Sequence, residues 1–333
     1  MTLMPDVETQ IREYFENLYK DPVKHFVRVY GWLSAAKIRL GHVRSGRHPR
    51  EYAKYFTFPG EFAIDVLFFA KAGIIEENKV GFPDVVYCES RPEILGKISK
   101  KLGKCKGVFP YPFERAIFSR NFESFCPFDI LNLDLTKEIF PRNGRQESNT
   151  IRAIERLLWL HKNRDFDLYL TFKSSQRETN REAINDFKGM INDNFENNAT
   201  LKTAFIESCG MESDNLLESD FTLFWCKSFP KWILEQGLTK NVSGSLLGEF
   251  SYPRQPPRGS PYDIVTFIFS FRRSGRHYMS QHEAVAKTQK EILKSFSITP
   301  IMVDEVLTSD TNKKNEMQAD VERILKKPPK IAS

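Results

Sequence analysis

The chain has 333 residues, a formal net charge of +6, 41% hydrophobic and 28% charged residues, and no apolar run long enough to cross a bilayer. That length and balance fit one large α/β domain with additions, or two modest domains, and exclude a helical membrane protein. Five cysteines (Cys88, Cys105, Cys126, Cys209 and Cys226) form no C-x-x-C pair, which predicts a reducing cytoplasm and no structural metal site.

The opening stretch, "MTLMPDVETQIREYFENLYK", lacks a basic segment followed by an apolar one, so secretion is not expected. Ile11, Tyr14, Phe15 and Leu18 share one helical face, and Phe26, Tyr30 and Leu33 repeat the spacing. An N-terminal helical cap over 1–50 follows. From Tyr55 the pattern changes to short β-branched or aromatic runs alternating with helical ones. The runs "KYFTF", "DVVYCES", "KGVFPY", "FDILNLDL" and "FDLYLTF" read as strands, with helices near 61–76, 91–102 and 148–163 between them. Each crossover is long enough to return the chain for a parallel strand. A helical stretch near 176–238 comes next. Then "SGSLLGEFSYPR" and "YDIVTFIFSFRR" flank "QPPRGSP", a stiff joint that predicts an antiparallel hairpin with an exposed turn. A helix at 281–296, a strand-like "ITPIMVDEVL" and a polar helix form a C-terminal extension over 273–333.

The sum is an α/β, doubly wound, mostly parallel sheet closed by an antiparallel hairpin. It resembles the class I methyltransferase fold that binds S-adenosylmethionine, over 54–272. Ligands of doubly wound sheets sit outside the carboxyl ends of the strands, so four strand ends matter. After the first, Pro59 and Gly60 can turn sharply and bring main-chain N–H groups to a carboxylate, although Glu61 adds like charge. Glu89 closes the second run, where an acidic side chain can accept both ribose hydroxyls. Tyr111, with Phe113, follows the third and can flank an adenine ring. Asn132 and Asp134 end the fourth, two polar side chains on an apolar run that need a reason to be there.

The stretches "NLDL" and "FPGEFAID" resemble the tRNA guanine-N2-dimethyltransferase family, which has Asp-Leu-Asp-Pro-Phe at the first of these places. Leu135 and Thr136 stand for that family's Pro and aromatic, and Asn132 for its first Asp. The resemblance implies that Asp134 and Asn132 orient the methyl acceptor. No H-E-x-x-H, P-loop or G-x-S-x-G occurs, and Asp84 and Glu89 lack the E-x-K partner that a metal nuclease needs.

The pentapeptide "RSGRH" occurs at Arg44–His48 and again at Arg273–His277, in flanks that share nothing else. Arg44, Arg47, His48 and Arg50, and Arg272, Arg273, Arg276 and His277, are therefore candidate phosphate contacts on two loops. The expected function is a methyltransferase-like protein acting on nucleic acid or a nucleic-acid-bound target. A non-catalytic nucleic-acid or protein binding module with a degenerate fold is the alternative. Expected partners are nucleic acid and a protein, which can be a second copy of the chain, but no membrane.

Overall fold

The computed structural model describes residues 22–135, 137–141, 149–254, 262–273 and 281–325. They form two compact units, Met1–Asp134 with Val303–Ser333, and Leu135–Met302.

In the first unit, helices Pro22–Phe26 and Ser34–Ser45 are joined by a π-helical stretch, Val27–Leu33. Phe26, Val29, Trp32, Leu33, Ala36 and Leu40 are buried, which is the amphipathic face expected for the second half of the cap. The first half lies outside the described residues. Strand β1 (Tyr55–Thr57) pairs in parallel with β2 (Gly81–Cys88) and with β4 (Ile130–Asp134), and β2 pairs in parallel with β3 (Lys104–Phe109). The order is β3-β2-β1-β4. All three residues of β1 are buried, as a central parallel strand requires, whereas β3 exposes part of its length as an edge. Gly81 (φ 149°) permits the close start of the β2–β3 pair, since a Cβ there would lie 2.4 Å from the Lys104 carbonyl oxygen.

In the second unit, β5 (Phe166–Ser174) runs antiparallel to β7 (Tyr262–Arg273), which runs antiparallel to β6 (Val242–Arg254), and the two-residue β8 (Ile301–Met302) adds in parallel to β6. The order is β5-β7-β6-β8. The expected hairpin is present, and its turn, 255–261, lies outside the described residues. With 3-2-1-4 in one unit and 5-7-6 in the other, and β7 antiparallel to its neighbours, the chain has the strand order of the class I methyltransferase fold.

Several expected elements are shorter or different. The helix expected over 61–76 is only Ile64–Lys71, because Ala63 is left-handed (φ 50°) before it and Gly73 (φ 74°) follows it. The stretch 176–238 divides into helices Arg181–Glu196, Ala199–Cys209, Ser213–Ser219 and Phe221–Thr239. Three of these starts are N-caps: Asn180, Asn198 and Asp220 accept the main-chain N–H groups of Ala183, Leu201 and Leu223 at 3.1, 3.1 and 2.8 Å. The strand expected in "ITPIMVDEVL" is confined to β8, and Val303–Ser309 is helical.

Each unit has an aromatic core. In the first, Phe56 packs on Phe122 (4.9 Å) and Phe128 (5.5 Å). In the second, Phe172, Trp225, Phe229 and Phe267 close together, with Phe229 5.3 Å from Phe172 and 5.7 Å from Phe267. The buried Lys227 ammonium donates to the carbonyls of Phe296 (2.8 Å) and Ile298 (2.6 Å), closing the C-terminus of helix Gln281–Phe296. Phe229 is fully buried, so Phe229→Ala is expected to cost about 3–5 kcal/mol of unfolding free energy measured by urea titration, whereas Phe118→Ala, at 56% exposure, stays within about 0.5 kcal/mol of the parent.

Candidate functional site

Five of the six residues expected to touch cofactor or acceptor (Pro59, Gly60, Glu89, Asn132 and Asp134) sit at or just beyond the ends of three adjacent strands of the first unit. Thr57 on β1 is in register with Tyr87 on β2 and with Asn132 on β4, so the loops that follow leave from neighbouring points. β2 lies on one side of β1 and β4 on the other, which makes this the point where the winding direction reverses.

After β1 the chain turns at Pro59 and Gly60. Gly60 has φ 62°, a left-handed conformation that glycine adopts at no cost, and a Cβ there would meet open space. The Ala63 N–H closes the turn onto the Gly60 carbonyl at 3.2 Å. Glu61 is outside the helix that follows and forms an ion pair with Lys97, on the helix Pro92–Leu102 that follows β2.

Beneath the turn lies a polar knot that the sequence reading did not single out. Asp65, 4% exposed, accepts the Tyr55 hydroxyl (2.8 Å), the Thr57 hydroxyl (2.6 Å) and the Asn132 amide (3.3 Å) on one carboxylate oxygen. The Asn132 amide also donates to the Tyr55 oxygen at 2.9 Å. Burial, then the Asp65 charge, pushes the Tyr55 hydroxyl well above its ordinary range, so it remains a donor. Asn132 Oδ1 is buried and accepts no hydrogen bond among the described residues. The available signal was a lone carboxylate inside the apolar run "AIDVLFFA".

Glu89 ends β2 with its side chain 10% exposed. Arg91 reaches back to it with Nε on Oε1 and Nη2 on Oε2, both at 3.0 Å, and its main-chain N–H donates to Oε1 at 2.9 Å. Burial alone would raise the Glu89 pKa, but the side-chain and main-chain hydrogen bonds from Arg91 outweigh it and hold the carboxyl below its ordinary range. Asp134, at the tip of β4, pairs with Lys24 of the first helix. Tyr111 is 39% exposed under the Arg115 guanidinium, 4.5 Å from its ring centroid. Phe113, expected beside it as an adenine wall, is instead buried against Phe56 and Phe58.

The basic residues divide. Arg44 and Ser45 close helix Ser34–Ser45 and are not loop, and Arg44 donates to the Glu51 carbonyl at 3.0 Å. Arg47 and His48 are exposed. Arg50 pairs with Asp129 at 2.7 Å, and the same carboxylate takes the Lys54 N–H at 2.7 Å, a fastening at the foot of β4. Arg272 and Arg273 belong to β7 and not to a loop, and Arg276 and His277 lie outside the described residues. Among the described residues no group of three or more His, Cys, Asp or Glu is placed to hold a metal, and no helix is long and apolar enough to cross a membrane.

Residues 114–328 match the model of the PP_RS20740-like family. No curated protein matches. Among solved structures the chain is similar to Trm1 from Pyrococcus horikoshii in complex with S-adenosyl-L-methionine, at 7% identity and a TM-score of 0.37, over 78% of this chain and 57% of that one. It is also similar to an rRNA methylase from Streptococcus thermophilus, at 11% identity and a TM-score of 0.32, over 70% of this chain and 94% of that one.

Arg91→Ala removes the guanidinium and leaves the main-chain N–H groups of residues 90 and 91, so the Glu89 carboxyl is expected to titrate higher than in the parent. Carbon-13 NMR of the side-chain carboxyls checks this. A Glu89 titration that does not rise in the variant would mean that the guanidinium is not what holds it low.

Proposed function

We propose that this chain, which belongs to the PP_RS20740-like family, is an S-adenosylmethionine-dependent methyltransferase-like protein acting on nucleic acid or a nucleic-acid-bound target. The observation that carries the reading is the pairing of a left-handed glycine turn after β1 with a partly buried carboxylate just after β2, on strands in register at Thr57 and Tyr87.

These residues fit the cofactor. Space beside Gly60 admits a ligand's main-chain-like end, and Glu89 keeps lone pairs beyond those that Arg91 uses, so it can accept ribose hydroxyls. Asn132 Oδ1, buried and unpartnered, is an acceptor for an amine N–H. When bound, the cofactor supplies an electrophilic methyl group on a sulfonium. The chain's task is then alignment: Asp65 fixes the Asn132 amide, and Lys24 fixes the Asp134 carboxylate, so both polar ends of β4 hold one orientation.

A second reading, the non-catalytic binding module, is favoured by one specific observation. Both acidic candidates are already paired with cations of the same chain, Glu89 with Arg91 and Asp134 with Lys24.

Titration calorimetry with S-adenosylmethionine and S-adenosylhomocysteine separates the two. The enzyme reading expects binding that Glu89→Ala weakens at least tenfold, about 1.4 kcal/mol, and that Asp134→Ala changes only a few-fold. No heat at millimolar ligand would leave the binding module.

A further inference from the structure

The second unit carries a basic pole at the end where β5 and β6 begin. β7 finishes at Arg273, which lies in register with Val242 at the start of β6. The Arg273 main-chain N–H donates to Asp165 Oδ1 at 2.7 Å, immediately before β5 begins at Phe166. The Asn163 N–H donates to the Lys240 carbonyl at 3.3 Å. Three chain segments thus bring Lys162, Arg164, Lys240 and Arg273 to the end where β5 and β6 start, whereas doubly wound folds bind their cofactor where parallel strands finish. Lys162, Arg164 and Arg273 are exposed.

One turn back on helix Asn149–Leu160 is Trp159, a large indole left 37% exposed. Arg156 lies 4.2 Å and Lys162 4.4 Å from its ring centroid. The nearby carboxylates Asp165 and Glu155 offset only part of this charge, two acids against the five cations Arg156, Lys162, Arg164, Lys240 and Arg273. Asp165 is engaged by the Arg273 main chain, and Glu155 is half-buried, with Lys240 among the charges acting on it. A cluster of cations around an exposed aromatic plate matches the chemistry of a nucleic-acid strand, which offers phosphates to the cations and a flat base to the ring. An acidic protein surface would satisfy the charges and leave the indole without a flat partner.

We infer that this pole binds a single-stranded segment of nucleic acid, with its phosphates against Lys162, Arg164 and Arg273 and an unpaired base on Trp159. Arg156 stays beneath the ring, and Lys162, on an exposed and flexible stem, gives up its place over the indole to the base. The inference rests on the nucleic-acid part of the proposed function, and it places the contact on Arg273 of the second "RSGRH" copy together with residues outside that motif.

The test is fluorescence anisotropy of the full chain with a fluorescein-labelled single-stranded RNA of mixed sequence, across a salt series, with polyphosphate and polyglutamate as competitors that lack bases. In Lys162→Ala/Arg164→Ala/Arg273→Ala the affinity is expected to fall and the slope of log affinity against log salt to shrink by about 0.7 per cation removed. Trp159→Ala is expected to weaken RNA binding by about 5- to 100-fold while polyphosphate competes as before, and Trp159→Phe is expected to keep most of the affinity. Unchanged affinity and slope in the triple variant, or unchanged RNA affinity in Trp159→Ala, overturns the inference. So does polyglutamate that competes as well as unlabelled RNA, which would assign the pole to an acidic protein. No cofactor enters this assay, so a failure here leaves the calorimetric result on S-adenosylmethionine untouched, and the reverse holds.

Discussion

A carboxylate buried without a cationic partner must be satisfied by hydrogen bonds, and the first unit is built around one that is. Asp65 takes two hydroxyls from β1 and an amide from β4, all neutral donors. Isolated burial of such a charge costs several kcal/mol or more, so these three donors are conditions of the fold. They fix the helix after β1 against the two strands between which the winding reverses. The Pro59–Gly60 turn leaves β1 just beyond this fixed point. Tyr55, kept protonated by burial and by the same charge, links both halves of the network.

Around that fixed point the chain neutralises its own acids. Glu61 meets Lys97, Glu89 meets Arg91, Asp134 meets Lys24 and Asp129 meets Arg50. The Glu61–Lys97 and Asp134–Lys24 pairs tie a strand end to a helix, whereas Glu89 and Arg91 close one loop on itself. The first three pairs also keep like charges from accumulating where Glu61, Glu89 and Asp134 lie at the ends of three strands. Exposed pairs of this kind contribute little to stability, and their effect is on geometry.

Much of the fold was legible in the sequence, because buried parallel strands read as unbroken apolar runs. β2, β4, β5 and both hairpin strands were found from "DVVYC", "ILNLD", "FDLYLTF" and the runs flanking "QPPRGSP". Helix ends were less legible. Asn180, Asn198 and Asp220 act as caps only because their side chains turn back on the main chain, and a polar residue on a solvated helix face looks the same in sequence. At the site, Glu89 and Asn132 were recognisable as polar ends of apolar runs. Their partners were not equally so: Arg91 is two residues from Glu89, but Lys24 is far from Asp134 in the chain, and nothing local marks that pairing. Asp65 was passed over because it reads as a helix residue until β1 and β4 are placed beside it.

The Arg91 latch on Glu89 has a consequence for ionic strength. Arg91 is 59% exposed while Glu89 is 10% exposed, so added salt screens the guanidinium arm more readily than it solvates the carboxylate. A neutral diol competing for those oxygens loses nothing to screening, and its rival weakens as salt rises. The polyanion contacts proposed for the Trp159 pole would lose affinity over the same range, because ions return to both partners when they separate. If both proposed sites hold, one variable in a buffer would move their occupancy in opposite directions, and a single low-salt condition would favour the polymer at the expense of the small ligand.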